Sequence, residues 1–508
     1  MAALVIAWAC AMLCAVLIER FTFPRSPWLA VNLRALVFRA AAFTFIFVFF
    51  FSWSWRPAFA AAGTCVFIAV FVAISAAKIR FVHEPLVFSD MAFILDVFRH
   101  PKLFYSTFLG PLFLIGSIGS IVAIIVLWFS LEPPRLPGQD REIAIVGVLA
   151  AWIIAAFGPF LPRLRHGYEQ WALGLKSDPD VWRDLTQHGL IATLVMDWLA
   201  WRGEDRTLRA GRWPAPFSGR ARVAATSADL IVIAQCESFM DFRRFDSAGL
   251  SLPNLDAARR RAAAWGRLEN AFPGGYTMRT EFSLLTGRPH LEFGFDRYYP
   301  YLNAGAYAEH ALPVLLRRHG YASTFIHPYY ADFFQRHRAL PAIGFERMIT
   351  LEAFDGAERI GGYVSDAAVA ERLIAEAKAV KGRALLFSAT MENHGPWEKE
   401  RFDGLDQPIP IYKRHLENGD ALLGRLLQAF DDWPSRVVVL FYGDHVPLLK
   451  AYADPFPDPR TDYVLIELGR GAARRPPRPE RPRAIHQLTR DVLKLAGILA
   501  DTRRDVAA

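Results

Sequence analysis

Charged residues and cysteines are both scarce in this 508-residue chain. Asp, Glu, Lys and Arg make up 21% of the residues and 53% are hydrophobic, a balance that favours a protein with membrane-spanning segments over an ordinary soluble enzyme. No repeat with a period of about 20 to 50 residues is present, which argues against a solenoid. The 14 Trp and 40 Phe argue against a disordered chain.

The four cysteines and the net charge bear on disulfide formation and on the class of binding partner. Cys236 alone lies in the C-terminal half, so no disulfide can form within that half and cysteine content does not indicate the redox compartment. The net charge is +8. Combined with the apolar excess, this charge favours anionic lipid or another phosphate-rich partner over nucleic acid.

Apolar stretches in the N-terminal part predict a membrane domain over residues 1–162. Five of them carry almost no charge over a length that crosses about 30 Å of hydrocarbon, namely residues 2–18, 35–55, 57–77, 103–131 and 143–162. The first has no basic region before it and no small-residue cleavage site before Glu19, so we expect a retained anchor rather than a removed signal peptide. Residues 163–225 are then predicted to be a juxtamembrane linker.

The orientation in the membrane rests on two opposing arguments. Lys and Arg crowd the first and third loops, and the positive-inside rule would place these loops, and with five spans the C-terminal half, in the cytoplasm. Long domains translocate largely regardless of their own charge, and the chemistry predicted below belongs outside the cytoplasm. From charge and hydropathy alone, we expect a multi-pass membrane protein whose orientation stays open. Residues 78–105 favour an amphipathic interfacial helix over a plain loop.

Short β-branched runs alternate with helical patterns from residue 226 to the end of the chain. The runs are DLIVIA, YASTFI, RALLFSAT and RVVVLFY, each apolar over the length of a strand. This alternation is typical of a mainly parallel sheet covered by helices on both faces. Residues 226–508 are therefore predicted to form one α/β domain.

Ionisable side chains follow these predicted strands directly. In an open parallel sheet ligands bind beyond the carboxyl ends of the strands, where this sequence places Glu237, His327, His394, Asp444 and His445. Two carboxylates and an imidazole suit one divalent cation. Taken singly, Glu237 could be a helix cap and Asp444 a turn residue, so the prediction depends on the set.

A candidate nucleophile lies in the segment AFPGGYTMRTEFSLLTG. Two glycines open a tight turn before Thr277, and the following residues can form a helix. A hydroxyl at a helix N-terminus lies at the positive end of the helix dipole, where a phosphate is also stabilised. Thr277 could instead only cap the helix, and Thr280 offers a second hydroxyl that spacing alone does not separate from the first.

The order of these features resembles the lipoteichoic acid synthase branch of the alkaline phosphatase and sulfatase superfamily. The matching features are Glu237 after the first strand, Thr277 followed by E-F four residues on, Arg336, the N-H-x-P-[FW] motif and the G-D-H motif. The resemblance covers the whole chain, because those proteins place five membrane helices before an extracytoplasmic sulfatase-like domain.

The resemblance implies a role for each matched residue. Glu237, Thr277, Asp444 and His445 would bind one divalent metal ion, Mn²⁺ foremost with Mg²⁺ and Zn²⁺ as alternatives. Thr277 would also be the nucleophile that forms a covalent phospho-adduct. The side chains implied in substrate binding are His327, Phe334, Arg336 and His394.

The same resemblance implies a phosphoglycerol transferase that moves a phospholipid head group, with phosphatidylglycerol as the expected donor, to an envelope glycan or a lipid-linked acceptor. Phe334 replaces a Trp that is usual in the family, and Tyr329 replaces an acidic residue, so the head group stays open. The oligomeric state is not indicated by the sequence.

Four alternatives have different sequence requirements. A sulfatase needs a C/S-x-P-x-R core, whereas this chain has TMRTEF. A two-zinc phosphodiesterase needs further Asp and His ligands. A phosphoethanolamine transferase shares the layout but typically carries disulfides. A non-catalytic glycan-binding scaffold would be expected to lose the nucleophile or the metal ligands, all four of which are present.

Overall fold

The structure is a computed structural model, and it describes residues 2–99, 111–134, 158–176, 178–206, 227–272, 274–473 and 475–499, together with residues 147, 150, 152, 153 and 209. The chain forms two compact units, Met1–Asp205 and Arg206–Ala508. Each unit is described by itself.

Long apolar helices dominate the first unit. Among the residues that the structure describes, three helices are long and apolar enough to cross a membrane, namely α1 (Ala2–Glu19), α2 (Leu33–Ser54) and α3 (Pro57–Val82). Helix α5 (Pro111–Leu131) contributes a shorter apolar stretch over Gly116–Leu131. The structure describes residues 111–131 of the predicted span 103–131 and only a part of the predicted span 143–162. The count of five spans therefore stays a prediction.

Arg39, which interrupts the second apolar stretch, is neutralised inside the first unit. Its guanidinium donates to the Glu19 carboxylate, with an Nη2–Oε2 distance of 2.7 Å, and to the Pro27 carbonyl at 2.7 Å. Both charged side chains are buried. Because an unpaired charge is costly in an apolar environment, this pair explains how an arginine is tolerated in a helix of this composition.

The segment predicted as a linker begins with three helices, α6 (Pro162–Leu175), α7 (Val181–His188) and α8 (Leu190–Gly203). The charges that lowered its hydropathy are paired with one another, since buried Lys176 contacts both Asp184 and Asp197. The first compact unit therefore extends to Asp205, whereas the predicted membrane domain ends at residue 162. Of residues 78–105, the structure describes 78–99, which form the end of α3, a 3-10 helix over Phe88–Phe93 and α4 (Ile94–Arg99).

A mixed sheet forms the centre of the second unit. Its eight strands, among the residues described, lie in the order β10-β2-β9-β8-β1-β7-β3-β4, and β9 alone runs antiparallel to its neighbours. The predicted α/β fold with a mainly parallel sheet is confirmed. The strands are β1 (Leu230–Cys236), β2 (Ala264–Glu269), β3 (Tyr321–Ile326), β4 (Arg347–Ile349), β7 (Arg383–Ala389), β8 (Arg436–Gly443), β9 (Thr461–Gly469) and β10 (Arg483–Ala484), with a separate hairpin of β5 (Arg359–Ile360) and β6 (Tyr363–Val364).

Helices and short 3-10 turns complete the second unit. The largest apolar core packs one face of β1 against α13 and α14, and it includes Val232, Leu373 and Leu416. The helices are α9 (Pro253–Arg261), α10 (Thr277–Thr286), α11 (Leu312–Arg317), α12 (Arg336–Ala342), α13 (Asp366–Ala379), α14 (Pro408–Asp431) and α15 (Ile485–Leu495).

The register of the parallel strands fixes which side chains meet. Cys236, the last residue of β1, pairs with Gly443, the last residue of β8, so Glu237 and Asp444 follow side by side. On the other flank of β1, Gln235 pairs with Ala389. Ile326 pairs with Ser388 in the next strand. All the predicted site residues that follow strands therefore converge on one edge of the sheet.

Candidate active site

Glu237, Asp444 and His445 form a buried cluster at this edge. Their ligand atoms all lie within 4.8 Å of one another. His445 Nε2 lies 3.3 Å from Glu237 Oε1 and 3.4 Å from Asp444 Oδ2. Its Nδ1 is 3.0 Å from the carbonyl oxygen of Val446, which fixes the ring so that Nε2 faces both carboxylates.

Backbone geometry holds the two carboxylates in place. The backbone N–H of Ser238 donates to Asp444 Oδ1 at 2.8 Å, and the Ser238 hydroxyl donates to Glu237 Oε1 at 3.0 Å. Ser238 has a φ of 50°, an unfavourable conformation for a residue with a side chain, and such strain often occurs at functional sites. Gly443 leaves the space for this turn, because a Cβ there would lie 1.8 Å from the Phe239 carbonyl oxygen.

The pKa values of the three groups are all shifted, because the groups are buried and interact with one another. Burial would raise the pKa of Glu237, but the positive charge of His445 lowers it to about 2. Burial and repulsion from Glu237 raise the pKa of Asp444 to about 7. Burial would lower the pKa of His445, but the two carboxylates raise it to about 10. The two carboxylates thus stabilise positive charge at the centre of the cluster.

A divalent cation fits this cluster on two observations. Asp444 Oδ2 is buried and accepts no hydrogen bond from the described residues, which leaves a lone pair directed at the cluster. Two carboxylates and an imidazole also form a mixed oxygen and nitrogen donor set that Mn²⁺, Mg²⁺ and Zn²⁺ all accept. A divalent cation would supply positive charge between the two carboxylates.

Thr277 begins α10 beside this cluster. Tyr276 is the N-cap and makes no side-chain capping hydrogen bond, so Thr277 occupies the first helical position rather than the cap. Interaction with the Thr277 side chain favours the ionised form of Asp444. Thr277 is 8% exposed and Thr280, one turn further along, is 1% exposed. Thr277, at the helix start, is therefore the more exposed residue of the two.

His327 and Arg336 contact each other in a second buried cluster. Arg336 Nη1 lies 3.3 Å from His327 Nε2, while His327 Nδ1 lies 3.0 Å from the Ala389 carbonyl oxygen. The ring is therefore neutral, with Nδ1 donating to the carbonyl and Nε2 accepting from the guanidinium. Burial and the Arg336 charge hold the pKa of His327 well below its usual value.

Glu281 pairs with Arg336 in the same cluster. Arg336 Nη2 lies 3.1 Å from Glu281 Oε2, and Arg336 Nε lies 3.4 Å from Oε1. Glu281 also accepts hydrogen bonds from the Tyr301 hydroxyl and from Gln235 Nε2, the latter at 3.3 Å. Burial alone would lower the pKa of Arg336, but the charge of Glu281 raises it. The guanidinium is thus kept charged without contact with water.

Aromatic side chains line the region beside His327. Tyr329 contacts the rings of Tyr330, Phe333 and Tyr363. Phe334 is buried under the guanidinium of Arg336, with 5.3 Å between the Arg336 Cζ and the ring centroid. Phe334 has a φ of 56°, a conformation rare for an aromatic residue.

His394 lies in a loop whose carbonyl oxygens accept hydrogen bonds from Arg401. The Arg401 guanidinium donates to three carbonyl oxygens of this loop, those of Glu392 at 2.9 Å, Pro396 at 3.0 Å and His394. The His394 ring lies 5.9 Å from the Tyr363 ring. Burial lowers the pKa of His394, against the opposing charge of Glu237. The loop is thus fixed by a side chain outside the N-H-x-P motif.

The structure brings the predicted site residues together in two clusters. Glu237, Asp444 and His445 form the first, beside Thr277 on α10, and His327 and Arg336 form the second, with Phe334 packed against Arg336. Sequence reasoning did not single out Glu281 or Arg401. Glu281 follows Thr277 by four residues, so helical spacing could have placed both on one face of α10, whereas no sequence signal marks Arg401.

Two comparisons with known proteins match more than half of the chain. The Sulfatase family model matches residues 229–498. The capsular polysaccharide biosynthesis protein RkpI of Rhizobium meliloti (strain 1021) is 39% identical over 431 residues, which cover 82% of this chain and 79% of RkpI. A putative cyclic beta-1,2-glucan modification protein of the same organism is 24% identical over 43% of this chain and 36% of its own length.

Solved structures with a similar fold include a phosphoglycerol transferase and a lipoteichoic acid synthase. The Streptococcus pyogenes phosphoglycerol transferase GacH, in complex with sn-glycerol-1-phosphate, has a TM-score of 0.43 at 19% identity and covers 57% of this chain and 79% of its own. The lipoteichoic acid synthase LtaP of Listeria monocytogenes has a TM-score of 0.44 at 20% identity and covers 56% and 77%.

The family match spans the whole described sheet from β1 to β10 and includes Thr277 and the buried cluster of Glu237, Asp444 and His445. The relationship to RkpI extends over most of both chains. The superfamily resemblance found in the sequence is thereby confirmed, and the chain belongs to the Sulfatase family of the alkaline phosphatase superfamily.

Proposed function

We propose that the protein is a membrane-anchored, metal-dependent phosphoglycerol transferase that moves the head group of a phospholipid to an envelope glycan through a phospho-threonine intermediate. The observation that carries this proposal is the position of Thr277 at the start of α10, beside the buried cluster of Glu237, Asp444 and His445. A hydroxyl, an electrophile-binding cation site and an arginine in one buried region are the parts that phosphoryl transfer requires.

Each residue has a defined task in this mechanism. The Thr277 oxygen loses its proton and attacks the phosphorus of the donor, the bond from phosphorus to the diacylglycerol oxygen breaks, and that oxygen takes up a proton so that diacylglycerol leaves as the free alcohol. Arg336, kept charged by Glu281, binds a phosphoryl oxygen, and His327 fixes the position of its guanidinium. A hydroxyl of the acceptor then attacks the phospho-threonine, and Thr277 leaves as the free hydroxyl.

The divalent ion, which Glu237, Asp444, His445 and Thr277 would bind, supplies a lowered pKa for the threonine hydroxyl and positive charge opposite the phosphoryl oxygens. His394 reaches the same region from the loop held by Arg401, and we assign it to the leaving oxygen. Mn²⁺ is the ion we expect, with Mg²⁺ and Zn²⁺ as alternatives.

The glycan acceptor is supported by the relatives. RkpI is named for capsular polysaccharide biosynthesis, and the more distant relative for modification of a cyclic glucan. Three helices long and apolar enough to cross a membrane would keep the enzyme next to its lipid donor. We place the catalytic domain in the periplasm, where envelope glycans are exposed.

The donor is tested with purified full-length enzyme in vesicles that contain labelled phosphatidylglycerol or labelled phosphatidylethanolamine. The proposal predicts diacylglycerol release from phosphatidylglycerol, with Mn²⁺ present, and none from a Thr277→Ala variant. Release from phosphatidylethanolamine alone would show a phosphoethanolamine transferase instead, consistent with an aromatic site at Tyr329 and Tyr330 that could bind an ammonium group. Release from neither lipid would contradict the transferase and favour a glycan-binding scaffold.

A further inference from the structure

The charges of the second cluster cancel within the protein. Arg336 is 1% exposed and Glu281 is fully buried, and two nitrogens of the guanidinium lie 3.1 and 3.4 Å from the Glu281 oxygens. Tyr301 and Gln235 occupy further positions around the carboxylate. Arg336 and Glu281 form an ion pair of opposite formal charges, so the arginine brings no net charge into the cluster.

Among the described residues, the groups beside the second cluster add no net positive charge to it. His327 presents an acceptor to Arg336 and a donor to the Ala389 carbonyl, so its ring is neutral. The two carboxylates of the metal-binding cluster match the two charges of one divalent ion. Arg401, which contacts the His394 loop, lies 3.4 Å from His415 Nε2, and His415 Nδ1 lies 2.9 Å from a carboxylate oxygen of buried Glu392. The metal-loaded pair of clusters is therefore close to neutral before substrate binds.

We propose that Glu281 is a specificity-determining residue that makes the site select singly charged phosphodiesters over doubly charged phosphomonoesters and inorganic phosphate. This inference rests on the proposed function, whose donor is a phosphodiester. A neutral site can accept one negative charge with little repulsion, whereas the second charge of a monoester or phosphate lies against Glu281 without a compensating cation. Such selectivity would keep free phosphate and head-group monoesters from occupying the site.

The test replaces Glu281 by Gln, which removes the charge and keeps the shape. One extra charge at about 7 Å, with an effective dielectric of about 20, corresponds to a factor of roughly 50. For the Mn²⁺-loaded full-length enzyme, we expect E281Q to shift the ratio of kcat/KM for p-nitrophenyl phosphate over bis(p-nitrophenyl) phosphate by at least about tenfold towards the monoester. Both assays run at about pH 8, where the monoester is a dianion.

Tyr301→Phe is the matched control, because it removes a hydrogen bond from Glu281 and leaves the charge. In this variant we expect both substrates to change in proportion. A merely structural role for Glu281 predicts the same proportional loss in E281Q, and that result would overturn the inference. If E281Q does not fold, the wild-type enzyme decides, since a preference for the monoester over the diester contradicts a neutral site.

A binding measurement separates this inference from the proposed function. Titration of inorganic phosphate into the Mn²⁺-loaded enzyme, followed by calorimetry, requires no turnover. Tighter phosphate binding by E281Q than by wild type supports the role of Glu281 even if neither lipid donor is consumed. Equal or weaker binding in a folded E281Q enzyme overturns the role of Glu281 even if phosphatidylglycerol is consumed.

Discussion

Replacing Gly443 by Ala should disable the site through a single methyl group. The new Cβ would lie 1.8 Å from the Phe239 carbonyl oxygen, so the turn after β1 must move by about 1.2 Å to reach even a short contact. That turn contains Ser238, whose backbone N–H binds Asp444 at 2.8 Å. Overpacking costs about 1 to 3 kcal/mol, and losing a hydrogen bond to a charged group costs about 1.5 to 3 kcal/mol.

The combined loss of unfolding free energy is thus about 2.5 to 6 kcal/mol. Because a displacement of about 1 Å at a reacting group can cost about 100-fold, we also expect kcat to fall by about that factor. Thermal unfolding followed by tryptophan fluorescence and turnover of bis(p-nitrophenyl) phosphate measure the two effects. Gly305→Ala is the control, since its Cβ would meet only the Ala342 Cβ at 3.7 Å. Wild-type stability and activity in G443A would refute the reasoning.

Three further predictions concern the chemistry. Thr277→Ala should abolish turnover and leave the fold intact, while Thr280→Ala should retain most activity; mass spectrometry that located a phospho-adduct on Thr280 would contradict this assignment. Dialysis against EDTA should stop turnover and Mn²⁺ should restore it, whereas full activity in excess chelator would exclude a required metal. Arg401→Lys should lower kcat by roughly tenfold, because a lysine cannot hold three carbonyl oxygens of the His394 loop; an unchanged kcat in a folded R401K enzyme would contradict the positioning role.

The strands that carry the site could be predicted because each is a short apolar run followed directly by an ionisable residue. DLIVIA and RVVVLFY gave Glu237 and Asp444, and the structure places them in β1 and β8 with paired ends. The sequence also placed Thr277 at a helix start. These features depend on residues that are neighbours in the chain, which is the range over which sequence patterns are informative.

Other features depend on contacts between distant residues and could not be predicted. The antiparallel strand β9 was not predicted, although its sequence is apolar, because strand direction depends on the path of the whole chain. The helices of residues 162–203 were predicted as a linker, since their charges lowered the hydropathy and the pairing of Lys176 with two aspartates was not visible. The hydrogen bonds from Arg401 to the His394 loop likewise depend on the folded conformation and leave no pattern in the sequence.

Because β1 lies at the centre of the sheet, its pairing with neighbouring strands is delayed during synthesis. β1 is the first strand of the sheet to be made, yet its neighbours β7 and β8 come far later in the chain, and the contact between Ser238 and Asp444 joins residues 206 positions apart. At about 5 to 20 residues per second, roughly 10 to 40 s of translation separate the two halves of the metal-binding cluster. Until β7 has been made, the fully buried sequence of β1 has neither of its two partner strands, so a nascent chain stalled before β7 should depend on chaperones for its solubility.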